Sequence, residues 1–195
     1  DCRARFLKIQ HRLFRDSRQE LTRAEYERLV AAAEAAGDRG LALLMEAICS
    51  TGIRVSEVQY ITVEAAKNGK AEIALKGKIR TILLPSKLCR KLLKFAARQK
   101  TASGAIFRAK SGNAMSRYQI WSKMKKLCER AGVDAEKVFP HNLRHLFATA
   151  FYRAYKDIVK LADVLGHSSI ETTRIYLVTS AAEHRRQLEL LQLVS

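Results

Sequence analysis

The chain has 195 residues, of which 48% are hydrophobic and only 2 are proline. This length and composition suit one packed, mostly helical domain and exclude a disordered or fibrous chain. The 36 lysine and arginine residues outnumber the 19 acidic residues, so the formal net charge is +17. Because clustered cations displace the counterions condensed on phosphates, this excess predicts a polyanionic partner, most commonly nucleic acid. One alternative is a protein that is merely basic and has no such partner. Another is a protein that binds an anionic membrane surface, although no long apolar run favours a membrane.

The cysteines and the first twenty residues bear on the setting of the protein. The four cysteines form no CxxC pair, which argues against a zinc knuckle or a disulfide framework and favours the reducing cytoplasm. Residues 1–20 are strongly basic with little periodicity, so they are interpreted as a linker or arm. Because the chain begins at Asp1 rather than at Met, it is interpreted as part of a longer protein. The main domain is therefore predicted to span residues 21–195.

Two helices are predicted directly after this arm. Thr22 is a good N-cap and Glu25 completes a capping box, so the first helix should run to about Ala36. Residues 41–49 are apolar on nearly every side, which indicates a central buried helix.

A small sheet is predicted next, followed by further helices. Three segments are rich in β-forming residues, with turn residues at Asn68-Gly69 and Gly77 between them: 61–64, 71–75 and 80–84. They predict a three-stranded antiparallel sheet. The residues predicted to open the later helices are Ser86, Ser116, Pro140, Asp157 and Ser169. Residues 181–194 form an amphipathic tail, so the fold class is α+β, mostly helical with one small sheet.

The segment from Pro140 to His145 carries a pattern suited to binding an anion. His141 and Arg144 are three residues apart and share one helix face, close to the backbone N–H groups at a helix start. A phosphate could bind there. A metal site on His141 and His145 is the alternative, but a zinc-binding HExxH motif needs Glu where this chain has Asn142. In the purely structural alternative the histidine only caps the helix and the arginine only pairs with a carboxylate.

Two further segments carry residues that could act on the same phosphate. Arg54 stands at the exit of the predicted buried helix, and a second guanidinium beside Arg144 could neutralise a pentacovalent phosphate. His167 precedes Tyr176 by nine residues. A phenol is a poor nucleophile at its free pKa near 10, but a cluster of Arg and His around the phosphate favours its phenolate during attack. An ordinary core tyrosine is the alternative.

Four segments in this order resemble the signature boxes of the tyrosine recombinase (phage integrase) family. They are Thr51-Gly-Ile-Arg-Val-Ser-Glu57, His141-Asn-Leu-Arg-His145, Leu165-Gly-His-Ser-Ser169 and Thr172-Thr-Arg-Ile-Tyr176. The resemblance covers nearly all of the chain beyond its basic arm. It implies that residues 21–195 are a catalytic domain, and that residues 1–20 link it to a missing N-terminal DNA-binding region.

The resemblance assigns roles residue by residue. Arg54 and Arg144 match the arginines that clamp the scissile phosphate. His141 matches the histidine that supports proton transfer and binds the same phosphate, and His167 matches a residue that donates a hydrogen bond to a phosphate oxygen. Tyr176 matches the nucleophile, which forms a 3'-phosphotyrosyl link and releases a 5'-hydroxyl. His145 is expected to support the site rather than to act in it.

The family also places a lysine on the hairpin between its second and third strands, where it protonates the leaving 5'-oxygen. Lys76-Gly77-Lys78 occupies that turn here. Lys76 is the candidate, but the turn is one residue shorter than the usual pattern, so Lys78 stays an alternative. A phosphate contact in a solvated turn is the purely structural explanation of either lysine.

The resemblance implies a site-specific recombinase that acts on double-stranded DNA in integration, excision or related strand exchange, without a metal or other cofactor. It also implies a homotetramer on paired DNA sites with exchange of C-terminal tails, accessory DNA-bending proteins, no membrane, and a place in the cytoplasm with the nucleoid. A type IB topoisomerase shares this chemistry and is one alternative. The other, from a different class, is a DNA-binding relative that has lost cleavage.

Overall fold

The computed structural model describes residues 20–75, 78–109, 111–167, 170–174 and 190. Its helices and strands follow one another along the chain as α1 (Arg23–Ala35), α2 (Arg39–Thr51), α3 (Val63–Asn68), β1 (Lys70–Leu75), β2 (Lys78–Leu83), α4 (Ser86–Arg98), α5 (Arg117–Lys125), α6 (Cys128–Ala131), α7 (Pro140–Tyr155), α8 (Ile158–Leu165) and α9 (Ile170–Arg174). Short 3-10 helices cover Val55–Tyr60 and Ala135–Lys137. The predicted α+β class, mostly helical with a small sheet, is confirmed.

Helix α2 forms the centre of the domain, as its apolar sequence predicts. Its buried residues occupy nearly every side, and α1, α4, α5 and α7 all pack against it. Leu44, Met45 and Ile48 are completely buried. Asp38 caps the helix by accepting a hydrogen bond from the Leu41 backbone N–H at 3.1 Å. The end of α2 is therefore held by a rigid core, and the residues that follow it have a defined position.

The capping signals place several other helix ends correctly. Thr22 and Glu25 form the predicted capping box of α1, Ser116 caps α5, and Asp157 caps α8. Pro140 is the first residue of α7. One detail differs: Pro85 holds the cap position of α4, and Ser86 is the first helical residue rather than the cap.

The described residues contain a sheet of two strands, so the prediction of three strands is wrong. Strands β1 and β2 pair antiparallel, from Lys70 opposite Leu83 to Leu75 opposite Lys78. The predicted first strand, 61–64, instead leads into α3, because the Thr62 side chain accepts a hydrogen bond from the Ala65 N–H at 3.0 Å and starts a helix. Only an isolated bridge joins Thr62 to Ala105. Gly69, expected in a hairpin turn, ends α3 in the left-handed conformation.

A smaller apolar cluster joins α7 to α8. Ala148, Leu161 and Leu165 are buried together, with Phe147 and Phe151 packed against them. This contact positions the end of α8 and the residues that follow it. No helix in the described ranges is both long and apolar enough to cross a membrane.

Candidate active site

One cavity of about 640 Å³ brings together four of the six predicted site residues. Arg54, His141, Arg144 and His167 line it, although they come from three separate stretches of the chain. Three arginines and two histidines face the cavity, and its described lining includes no aspartate or glutamate. Such a concentration of positive charge and hydrogen-bond donors suits an anion. The other two predicted residues, Lys76 and Tyr176, lie outside the described residues.

Arg54 owes its position to the turn that ends α2. Gly52 takes the left-handed conformation there, at φ 66°. A Cβ at this residue would overlap the Phe147 ring. The Arg54 guanidinium donates to Glu57 Oε1 at 2.8 Å and to the Gly166 carbonyl at 3.2 Å. Its side chain keeps 39% of its surface exposed, so it can still meet a ligand in the cavity.

Arg144 connects α7 to the turn after α2 and to the end of α8. Its side chain projects from α7 and is buried. The guanidinium donates to the Gly52 carbonyl, to the Leu165 carbonyl at 2.8 Å, and approaches His167 Nε2 at 3.0 Å. A planar guanidinium can satisfy these partners together in a way that a lysine cannot. Arg144 therefore joins the α2 turn to the end of α8.

His167 follows Gly166, the left-handed residue that ends α8. Its Nδ1 lies 2.9 Å from the Thr173 hydroxyl and its Nε2 lies 3.0 Å from the Arg144 guanidinium. Since a guanidinium can only donate, this Nε2 accepts and Nδ1 carries the proton. Burial and then the nearby Arg144, Arg54, Arg80 and His141 lower the pKa of His167 to about 4. The imidazole is therefore neutral at physiological pH.

His141 faces the cavity from the first turn of α7. The N-cap residue, Phe139, supplies no side-chain hydrogen bond to the backbone N–H groups of that turn. Helix N-termini of this kind favour anions. The neighbouring Asn142 turns away, and its amide donates to the Lys137 carbonyl at 2.8 Å. His141 is thus the residue of this box that lines the cavity together with Arg144.

His145 points to a different part of the molecule. It is buried, its Nδ1 lies 3.4 Å from the Thr149 hydroxyl, and its Nε2 lies 3.8 Å from the Glu20 carboxylate. It does not line the cavity. Within the described residues, no three His, Cys, Asp or Glu side chains converge as metal ligands would.

Two groups of residues that belong to the site or support it were not predicted from the sequence. Arg117, Tyr118 and Trp121, on α5, complete its wall, and Tyr118 is 72% exposed. The sequence signal that could have identified them is an arginine and two aromatic residues in the first turns of a helix opened by Ser116.

The second group consists of Glu57 and Arg80, which form an ion pair behind Arg54. The Glu57 carboxylate is buried, and Arg54 and Arg80 both donate to it. The spacing of Arg54 and Glu57 is the capping-box spacing, which the sequence shows, but the partner on β2 is distant in sequence.

Known proteins resemble this chain over most of its length. Residues 19–183 match the phage integrase family, so the chain belongs to that family. It is 33% identical over 141 residues to tyrosine recombinase XerD of Corynebacterium glutamicum, a match that covers 68% of this chain and 46% of that protein. It is 32% identical over 159 residues to tyrosine recombinase XerA of Pyrococcus furiosus, covering 78% of this chain and 54% of that protein.

Solved structures share the fold. A crystal structure of XerA recombinase superposes with a TM-score of 0.74 at 23% identity, covering 90% of this chain and 64% of that one. XerH site-specific recombinase bound to its difH substrate, in a pre-cleavage complex, gives a TM-score of 0.69 at 25% identity, covering 86% of this chain and 52% of that one. The chain spans about half the length of the curated relatives it matches.

Proposed function

We propose that this domain cuts and rejoins double-stranded DNA by transferring a phosphodiester to Tyr176, as a site-specific tyrosine recombinase. The observation that carries the proposal is the convergence of Arg54, His141, Arg144 and His167 on one cavity. These residues suit a phosphate better than a neutral substrate, because two arginines, which are always charged, lie beside imidazoles that can form hydrogen bonds. A relative of the same fold has been solved bound to its difH substrate.

The chemistry follows from charge. The Tyr176 oxygen attacks phosphorus while His141 takes its proton, the bond from phosphorus to the 5'-oxygen breaks, and Lys76 gives that oxygen a proton. Arg54 and Arg144 neutralise the charge that builds on the phosphate oxygens, and His141 contributes a hydrogen bond. His167 contributes one once the phosphate replaces its contact with Arg144 and the imidazole proton lies on Nε2. The charge of the two arginines supplies the stabilisation that a metal ion gives in other phosphoryl-transfer enzymes. Because the 3'-phosphotyrosyl link keeps the energy of the cleaved bond, a second 5'-hydroxyl can reverse the step without ATP.

A trapping experiment tests this proposal. The full-length protein first selects its binding site from a random DNA pool, and the selected duplex is then nicked beside the scissile phosphate so that the released fragment diffuses away. We expect a covalent protein–DNA product in EDTA for the wild type and none for Tyr176→Phe. The same product from Tyr176→Phe would refute the nucleophile assignment, and a site-bound wild type that forms no product would refute cleavage.

The same reagents separate the recombinase from its rivals. A recombinase joins strands from two DNA duplexes, whereas a type IB topoisomerase relaxes a supercoiled plasmid without exchanging strands. A silent DNA-binding relative retains the selected site but never forms the covalent product. Joint molecules from two differently labelled duplexes are the expected result.

The remaining features of the whole protein belong to the same proposal. Residues 1–20 would link this domain to an N-terminal DNA-binding region, and four subunits would assemble on paired sites by exchanging their C-terminal tails. Accessory DNA-bending proteins would assist, and the protein would act on the nucleoid in the cytoplasm. Mass photometry of the full-length protein with two sites is expected to show a complex with four subunits. A complex with one subunit per site would contradict tetramer assembly.

A further inference from the structure

A buried carboxylate joins the candidate phosphate clamp to strand β2. Glu57 is 2% exposed and its two oxygens serve two arginines. Arg54 Nη1 donates to Oε1 at 2.8 Å, and the Arg54 backbone N–H donates to Oε2 at 3.0 Å. Arg80 Nη1 lies 3.1 Å from each oxygen. The guanidinium that faces the cavity and the one behind it therefore share a single counter-charge.

Arg80 also reaches the segment that carries His167. Its second guanidinium nitrogen, Nη2, donates to the Val164 carbonyl at 3.0 Å, in the last turn of α8. The side chain, 16% exposed, crosses directly over Gly166, where a Cβ would overlap its guanidinium. Arg80 therefore contacts the Arg54 turn through Glu57 and the His167 turn through two backbone positions.

Stability alone is a poor explanation for this arrangement. The desolvation of buried charges offsets much of their attraction, so a buried ion pair is weak evidence for a gain in stability. Orientation is a better explanation, because fixed guanidinium geometry is what a preorganised phosphate site requires. Arg80 does not line the cavity itself.

We propose that Arg80 is a positioning residue of the phosphate clamp, which holds Arg54 through Glu57 and the Gly166–His167 turn through the Val164 carbonyl. The proposal rests on the proposed function of the site. With Arg80 in place, each Glu57 oxygen is shared, and the Arg54 side chain keeps its exposed edge toward the cavity. Without Arg80, both oxygens are open to Arg54 alone, which would draw its guanidinium toward Glu57 and away from a bound phosphate.

The position of Arg80 in the chain extends this role to the hairpin. Arg80 lies on β2, which begins at Lys78, two residues after Lys76. Because Arg80 fixes β2 to Glu57 and Val164, it sets the start of that strand relative to the clamp. Two effects can therefore be distinguished: one through Arg54, on the charge of the phosphate, and one through the hairpin lysine, on the leaving group. We assign the main effect to Arg54.

The test compares single-turnover cleavage by Arg80→Gln on three versions of the selected DNA site. On normal DNA we expect cleavage to fall by about 30-fold while DNA affinity changes by less than about threefold, since Arg80 meets the phosphate only through Arg54. A methylphosphonate at the scissile position is neutral and needs less charge from Arg54. With it, the defect should shrink to about threefold, as it should for Arg54→Ala.

The third substrate carries sulfur in place of the leaving 5'-oxygen. A thiolate leaves without a proton, because its pKa of about 8.5 is far below that of an alcohol. It should therefore not rescue Arg80→Gln. Rescue by sulfur rather than by methylphosphonate would move the effect to the hairpin lysine and overturn the assignment to Arg54.

Two control variants distinguish the possible outcomes. Arg90→Gln removes an exposed arginine from α4 and should leave cleavage unchanged. Arg80→Lys retains the charge opposite Glu57 and should recover part of the rate, so the proposal can be tested even where Arg80→Gln folds poorly. A defect of equal size on all three substrates, together with a lowered melting temperature, would show a merely structural role and refute the proposal.

Failure of the proposed function gives a different result. A site-bound wild type that forms no covalent product refutes cleavage by this domain, and with it the reaction that Arg80 serves. Wild-type cleavage that depends on Tyr176, with Arg80→Gln reacting at the wild-type rate, refutes only the role of Arg80.

Discussion

His167 shows how the candidate site alters a single side chain. Burial and the adjacent arginines lower the pKa of its imidazole in the folded protein to about 4 from an ordinary value of 6.5. The unfolded chain therefore binds a proton at a higher pH than the folded chain does. The contribution of neutral His167 to the free energy of unfolding is fully present above about pH 6.5 and is lost as the pH falls from about 6.5 toward 4.

The His167→Gln variant should lack this part of the acid sensitivity. On acidification from pH 7 to pH 5 we expect it to lose about 1 kcal/mol less free energy of unfolding than the wild type, after allowance for solvent screening of a half-buried group. Denaturant unfolding at both pH values measures the difference, and other titrating groups cancel because both chains share them. Parallel losses in the two proteins would contradict the lowered pKa.

Arg144 depends on the shape of its guanidinium as well as on its charge. Its contacts with the carbonyls of Gly52 and Leu165 need a planar fork. We expect Arg144→Lys to slow single-turnover formation of the covalent complex by about 100-fold, because a point charge cannot keep these contacts and also hold the phosphate. Arg130→Lys, at an exposed position on α6, is the matched control. Equal rates for the two variants would show that charge alone suffices.

At the scale of elements, the junction of α2, α7 and α8 depends on Gly52. Its φ of 66° disfavours side chains, and a Cβ would also overlap the Phe147 ring and approach Leu165 closely. We expect Gly52→Ala to reduce the free energy of unfolding by about 3 kcal/mol, from backbone strain together with overpacking. Chemical denaturation of the purified variant measures this loss.

Gly69 provides the control for this prediction, since it has a similar φ of 70° with no atom within 4 Å of the position of a Cβ. Gly69→Ala isolates the backbone term and should cost only about 1 kcal/mol. If the two variants lost the same free energy, the close packing around Gly52 would not contribute.

The 3-10 helix after α2 helps to position Arg54 in the site. It begins at Val55, directly after Arg54, and Glu57 within it accepts the Arg54 backbone N–H. The Gly52 junction and the Glu57 carboxylate thus hold opposite sides of one short segment. This is why an arginine close to the end of a buried helix can serve a site that needs accurate placement.

At the scale of the whole molecule, the net charge of +17 governs association with DNA. A protein that contacts about eight phosphates should show a slope near −7 when the logarithm of the binding constant is plotted against that of the salt concentration, and should lose about 10³-fold to 10⁵-fold affinity between 50 and 200 mM salt. Fluorescence anisotropy with the selected site and with a scrambled duplex measures both slopes. A slope near zero would contradict phosphate contacts as the main source of affinity.

Features that depend on residues close together in the chain were predicted correctly from the sequence. The Thr22–Glu25 capping box, the apolar α2 and the proline at the start of α7 act within one turn or one helix face, so their signals are continuous in the sequence. The third strand was predicted wrongly because two local signals compete there. Residues 61–64 have β-forming composition, but the cap at Thr62 and the alanines that follow it start a helix instead.

The sequence by itself determined the charge, the helical class and the identity of Arg54, His141, Arg144 and His167 as candidates, because motif residues and their spacing are written in the chain. Only the tertiary structure decided that these four face one cavity, that His145 faces Glu20, and that Arg80 shares Glu57 with Arg54. Such contacts join residues 23 to more than 100 positions apart, and they form only when the core brings α2, α7, α8 and β2 together. No local pattern encodes them.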